Sequence, residues 1–411
     1  MNITMSTDSG VTLKTAGKYC SENITVTPGF AGADGIIDRS ISGEFTTNVS
    51  TIGNYALAGC TGLTSVTGPN VSTLGDSALF GCTSLTSMSF PECTTIGASA
   101  FAVCKSLTSV NFPQCTTINQ YAFTGCTSLT SITLPKCTTI GSSAFAGCRS
   151  LSTVSLPVCT TIGSSAFASC QSLSSVSLPV CTTIGQNAFA GCQSLSTLSL
   201  PECTTLGSYA LANCGLTSIT LSKCTTIGSY AFRSCTGLTT VSLPVCTTIG
   251  SSAFAGCQSL SSVSLPVCTT TESSAFYNCT SLSTLSLPEC TMLGQTTFHL
   301  CTSLTTVSLP VCTTIGQNAF MSCSSLSSIS LPVCTYIDEG AFWDCLSLTT
   351  LILAGSSVVT LASIDALRWT PMGVSKYTGT FGSIYVPASL VSAYKTATNW
   401  ADYSNRITAI T

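Results

Sequence analysis

Residues 151–172 read LSTVSLPVCTTIGSSAFASCQS, and nearly all of the chain is built from copies of this stretch. It returns as LSSVSLPVCTTIGQNAFAGCQS over 173–194 and as LSTLSLPECTTLGSYALANC over 195–214. The cysteines mark the register. Cys60, Cys82, Cys104, Cys126, Cys148, Cys170, Cys192 and Cys214 stand 22 residues apart, and after a one-residue deletion the series resumes at Cys235, Cys257, Cys279, Cys301, Cys323 and Cys345. A unit this short cannot close a core alone, so each copy is expected to be one coil of a solenoid stacked on its neighbours.

The alternation within the copy gives the coil. Val154 and Leu156 alternate with Thr153 and Ser155, as in a short strand with one buried face. Pro157 ends that strand because proline lacks the N–H of a ladder. The segment 159–162, CTTI, is a second extended piece, and Gly163 turns the chain. Ser164 or Ser165 can then cap a helical turn or two, with Ala166, Phe167 and Cys170 on one side. Eight residues are expected to point inward: Leu151, Val154, Leu156, Cys159, Ile162, Ala166, Phe167 and Cys170.

Only 7% of the 411 residues are charged. The apolar residues are dispersed at the coil period, with no run long enough to span a bilayer, so no membrane insertion is expected. The first twenty residues lack a basic stretch followed by an apolar one, so no signal peptide is read there. A formal net charge of −3 without a basic cluster argues against nucleic acid as a partner.

Of the 27 cysteines, 26 fall in two columns, one following Phe by three and one following Pro by two; Cys20 stands apart. Column neighbours lie about 4.8 Å apart, longer than the Cβ separation of about 3.8 Å that a disulfide prefers. There is no CxxC and a single histidine, His299, so no zinc site or other metal or cofactor site is read. The thiols are expected to be reduced, buried and small core residues, which suits assembly in a reducing cytoplasm.

Three regions follow. Residues 1–35 lie outside the period and contain strand-like pieces around a Gly-Lys-Tyr turn, an N-terminal attachment or β segment. Residues 36–353 hold the array, with about fourteen coils. Residues 354–411 are rich in aromatics, with a strand near 382–386 and a helix in SLVSAYKTATNW, and look like a cap on the last coil. Within the array, Thr271 replaces the usual Ile, so a local shift of that coil is expected because an unpaired core hydroxyl costs about 1–3 kcal/mol.

The pattern L-x-x-V-x-L-P … I-G-x-x-A-F-x-x-C-x-x-L resembles the BspA-like leucine-rich repeat. Most members run 23 residues with valine where Cys159 sits. The resemblance implies a curved solenoid with a parallel β-sheet face; joined to the reading of the residues, the expected fold is an α/β solenoid of 22-residue coils with short helical turns and a small C-terminal α+β cap. It also implies a role in adhesion and recognition at surfaces. The segments VTLKTAGKYCSENITVTP and IYVPASLVSAYKTATNWADYSNRITAI resemble flanks of such repeats in phage and prophage proteins of gut bacteria.

No catalytic constellation stands out, since a lone histidine, scattered carboxylates and repeat serines make no triad. Two binding surfaces do. The hydroxyl rows beside the long strand, Thr153 and Ser155, Ser175 and Ser177 and their equivalents, can hydrogen-bond a glycan or ordered water; alternatively they only keep an uncharged sheet soluble. The residue after the core Phe is alanine in many coils but Tyr277, His299, Met321 and Trp343 in four consecutive ones, a stripe suited to partner contact or to packing under the C-terminal region. Asp338, Glu339 and Asp344 lie near its end as solvated carboxylates or cation ligands. The expected function is a non-enzymatic recognition protein contacting a protein or glycan on a cell surface, on a phage or prophage virion or at the extracellular surface of a bacterium as an adhesin. The remaining class is a spacer or filament that self-associates.

Overall fold

In a computed structural model of the protein, residues 2–5, 11–14, 42–373 and 381–410 are described. The Gly-Lys-Tyr turn, Cys20 and most of the N-terminal attachment segment lie outside them. The chain divides into two compact units, Met1–Cys203 and Thr204–Thr411.

In the first unit, Asn2–Met5 and Val11–Lys14 form an antiparallel pair. The repeats then supply two kinds of parallel strand. The longer strands sit at Ser109–Asn111, Ser131–Thr133, Thr153–Ser155, Ser175–Ser177 and Thr197–Ser199, paired in that order. The shorter ones are seven two-residue strands from Thr51–Ile52 to Thr183–Ile184. Each residue pairs with the one 22 positions on, as Thr139 with Thr161 and Ile140 with Ile162.

Seven of the eight residues expected inside are buried, and Val154 is half-exposed. Phe101, Phe123, Phe145, Phe167 and Phe189 stack face to face with ring centroids 5.0–5.3 Å apart. That geometry contributes about 0.5–1.5 kcal/mol per pair beyond burial.

The segment after Gly163 is not helical, which corrects the expectation of helical turns. Ser165 and Ser169 take left-handed backbone, φ 55° and 60°, and a helix cannot pass through such residues. Alternate amides divide their work. Ser165, Phe167 and Ser169 donate forward to Gln186, Ala188 and Ala190 of the next coil at 2.7–2.8 Å, while Ala166, Ala168 and Cys170 close local turns onto Gly163, Ser165 and Phe167. The turn side is therefore a second hydrogen-bonded wall, which satisfies the backbone without a helix.

Hydroxyls tie the coils further. Thr160 Oγ1 donates to the carbonyl of Thr138, and Ser152 Oγ to that of Thr130, each one coil back. Thiols do the same inside. Cys159 Sγ lies within reach of Thr138 O of the preceding coil at 3.5 Å and of Thr161 O in its own coil at 3.3 Å. All 26 described cysteines are buried and none is in a disulfide.

The second unit repeats the plan with eight short strands from Thr205–Leu206 to Thr360–Leu361, so the short strands outnumber the fourteen coils counted from cysteines. The deletion after Cys214 shows as a 21-residue offset between Thr205 and Thr226; it removes a turn and leaves Cys214 buried. Thr271 keeps the register, pairing with Ile249 and Leu293, so the expected shift of that coil does not occur. Its hydroxyl is buried without a partner, whereas Thr297 Oγ1 donates to Gly294 O at 2.7 Å.

Beyond the repeats, Ser383–Val386 pairs in parallel with Thr350–Ile352 and with Ile407–Ala409. The one α-helix among the described residues is Val391–Thr396, and of its residues only Tyr394 is buried. Trp400 Nε1 donates to Val359 O at 2.7 Å, Val359 N to Tyr394 OH at 3.1 Å, and Asn399 Nδ2 to Leu361 O at 2.7 Å. Buried aromatics thus carry their polar ends to backbone groups beside the short strand Thr360–Leu361.

Candidate functional site

The parallel register puts outward side chains in columns, and two kinds of column differ in what their hydroxyls do. Those of Thr160 and Ser152 are spent on the neighbouring coil. Those of Thr153, Ser155, Ser175 and Ser177 are exposed and hydrogen-bond to no protein group among the described residues. Thr153 pairs with Ser175 and Ser155 with Ser177, so these four form a patch of free donors and acceptors on the long-strand sheet. In the second unit the equivalent face carries a shallow groove of about 450 Å³ flanked by Ser262, Ser286 and Ser308.

The stripe of large residues is on the turn wall. Tyr277, His299 and Met321 are half-exposed. The Tyr277 and His299 rings meet edge to face at 5.3 Å, and partial burial lowers the His299 pKa, which favours the neutral ring. Trp343 belongs to the column but not to the open surface in the same way. Trp369 meets it edge-on at 5.6 Å, and the Arg368 guanidinium lies 4.9 Å from its ring centre. Arg368 is in turn paired with Asp365 at 3.3 Å.

The three carboxylates do not converge. Asp338 Oδ1 accepts from Glu339 N at 2.8 Å, Asp344 Oδ2 from Ser322 Oγ at 3.0 Å, and Glu339 Oε2 from Gln317 Nε2 at 3.5 Å. Among the described residues no cluster of His, Cys, Asp and Glu is set to hold a metal ion. The buried thiols are poor nucleophiles. Loss of solvation pushes Cys148 and Cys301 up to about 12 and Cys93 to about 11.

One residue of the same column escaped notice in the sequence. Arg233 follows Phe232 as Tyr277 follows Phe276, two coils earlier, and is exposed. Its guanidinium lies 5.5 Å from the centre of the Tyr230 ring, which stacks on Tyr209 at 4.5 Å. Between Arg233 and Tyr277 the column dips at Ala255, leaving an open notch of about 420 Å³. Aligning the coils by their Phe would have placed Arg233 beside the stripe.

No helix among the described residues is long and apolar enough to cross a membrane. Comparison with known proteins agrees with the geometry. The family model of the BspA type leucine rich repeat region matches in six copies, over residues 40–152, 94–202, 116–239, 160–274 and 225–349. A leucine-rich repeat protein from Bacteroides ovatus is 26% identical with a TM-score of 0.61, over 89% of this chain and 88% of that one. A leucine rich cell surface protein from Faecalibacterium prausnitzii is 26% identical with a TM-score of 0.44, over 77% and 88%. The pneumococcal vaccine antigen PcpA is 18% identical with a TM-score of 0.44, over 100% and 99%. None of the curated proteins matches. With matches of the repeat model running from residue 40 to residue 349, the chain belongs to the BspA-type leucine-rich-repeat family.

Proposed function

We propose that this protein is a non-catalytic recognition scaffold that works at a cell surface. Leucine-rich-repeat solenoids are in general binding scaffolds, and BspA-type members are typically cell-surface or extracellular proteins. The observation that carries the reading is the column after the core Phe. The fold accepts alanine there in Ala168 and Ala190, yet Tyr277, His299 and Met321 replace it with large half-exposed side chains that the core does not require. Surface aromatics backed by a rigid wall are what partner recognition uses. The free hydroxyls of Thr153, Ser155, Ser175 and Ser177 form a second, polar face suited to a glycan.

In this reading residues 1–35 attach the array, 36–353 display it and 354–411 close its end. A virion or a bacterial surface would each present such an array, and the flanking segments favour the virion. Binding of the full chain to a panel of intact bacterial and epithelial cells tests the proposal. The triple variant Tyr277→Ala, His299→Ala, Met321→Ala is expected to bind at least tenfold more weakly. Unchanged binding would overturn the assignment of this column, and no binding by the unaltered chain to any cell would overturn the function.

A further inference from the structure

The notch between Arg233 and Tyr277 has a chemistry that the rest of the wall lacks. Its floor is Ala255, nearly buried, and Gly256, which brings no side chain into the notch. One side is the guanidinium of Arg233 held over Tyr230; the other is the Tyr277 side chain with the Asn278 amide. Arg233 has no ion-pair partner among the described residues, in a chain where only 7% of residues are charged at all. A cation fixed by a ring and left without a counter-ion is prepared for an anion from outside. At about 420 Å³ the notch falls within the range of small-molecule sites, about 300–1,000 Å³.

We infer that this notch binds the carboxylate-bearing sugar of an acidic glycan. The guanidinium takes the carboxylate as a two-pronged pair, the Tyr277 side chain supplies an aromatic surface for the apolar side of the sugar ring, and the Asn278 amide with the hydroxyls of Ser252 and Ser274 meets the sugar hydroxyls. An acidic peptide would use the guanidinium as well, but would leave those hydroxyl and amide groups without a matching set. The inference rests on the recognition role proposed above and names one class of ligand for part of that surface.

Ligand-observed NMR on the full chain tests it, with glucuronic acid and N-acetylneuraminic acid against glucose, N-acetylglucosamine and a short oligoglutamate. The acidic sugars are expected to bind at least tenfold more tightly than the neutral ones and more tightly than the peptide. Arg233→Gln should remove the preference for acid. Ala255→Tyr should abolish binding by filling the notch with a residue that this column already carries at 277, so the fold is expected to accept it. Met321→Ala, outside the notch, should leave sugar binding unchanged. Equal binding of acidic and neutral sugars, tighter binding of the oligoglutamate, or full binding by Ala255→Tyr would overturn the inference. Cell binding that persists while the acidic sugars fail would sink the notch alone and leave the recognition role standing.

Discussion

Cys170 donates its thiol proton to the carbonyl oxygen of Phe145, 3.2 Å away and 25 residues back in the chain. The same bond recurs from Cys148 to Phe123 and from Cys192 to Phe167. Each of these Phe carbonyls already accepts the amide of the Cys three residues on, as Phe145 O does from Cys148 N at 3.2 Å, and the thiol of the next coil takes its second lone pair. A thiol is small enough to fit beneath the stacked rings and still carries one weak donor. The cysteine columns are thus polar fasteners in an apolar core, and they hold only while protonated.

Alkali should therefore loosen the array. Cys148 and Cys301 are held up to about 12 in the fold against an ordinary 9.0. Below pH 9.0 both folded and unfolded chains keep these protons and the stability is fully present. Above it the unfolded chain loses protons that the fold retains, so stability falls by up to about 1.4 kcal/mol per thiol per pH unit until the folded value is reached. Urea melts at about pH 7.5 and about pH 10.5 should show a large drop in midpoint. A flat profile would count against protonated thiol columns.

Removing the unpaired hydroxyl of Thr271 should stabilise the second unit. Thr271 is fully buried between Ile249 and Leu293 in register, with no partner for Oγ1. Thr271→Val keeps the shape and deletes the orphan, a gain of about 1–2 kcal/mol in the urea midpoint. A loss of stability would mean that the hydroxyl has a partner.

Two glycines should respond in opposite degree. A Cβ on Gly163 would lie 2.8 Å from the backbone of Gly141, Ile140 and Ser142, which cannot yield, so Gly163→Ala should cost about 3 kcal/mol or more. A Cβ on Gly147, at φ 72°, meets nothing closer than 4.0 Å, leaving only the left-handed backbone penalty of about 1–2 kcal/mol for Gly147→Ala. Equal losses in thermal or urea unfolding would contradict the close stacking at Gly163.

The period, both strands and seven of the eight inward residues were legible because a strand writes its buried face directly into alternation, and every copy repeats the message. The turn was not, because in the copy at 151–172 its two left-handed positions hold Ser165 and Ser169, which read as helix-compatible. Read down the columns, the same positions hold Asn187, Asn318, Gly147, Gly191 and Gly256, residues that accept positive φ. The stripe was visible as large residues on an alanine column, but the partial cover of Trp343 by Trp369 and Arg368 depends on how the non-repeating end folds back, which no periodicity encodes.

Tyr277 and Trp343 should accordingly separate binding from stability. Trp343→Ala loses the Trp369 edge contact and the Arg368 cation, about 1–3 kcal/mol together. Tyr277→Ala should cost less than about 1 kcal/mol yet weaken cell binding. Parallel urea melts and binding curves check this; the reverse ranking would move the recognition surface to the C-terminal end.

Counting reactive thiols tests most directly whether every coil hides its phenylalanine and its sulfurs beneath the next. A thiol-reactive disulfide reagent added to the native chain without reductant should modify none of the 26 column cysteines, so that at most Cys20 reacts. In guanidinium all 27 should react. Rapid modification of many cysteines in the native chain, or fewer than the full number after unfolding because pairs are oxidised, would contradict it.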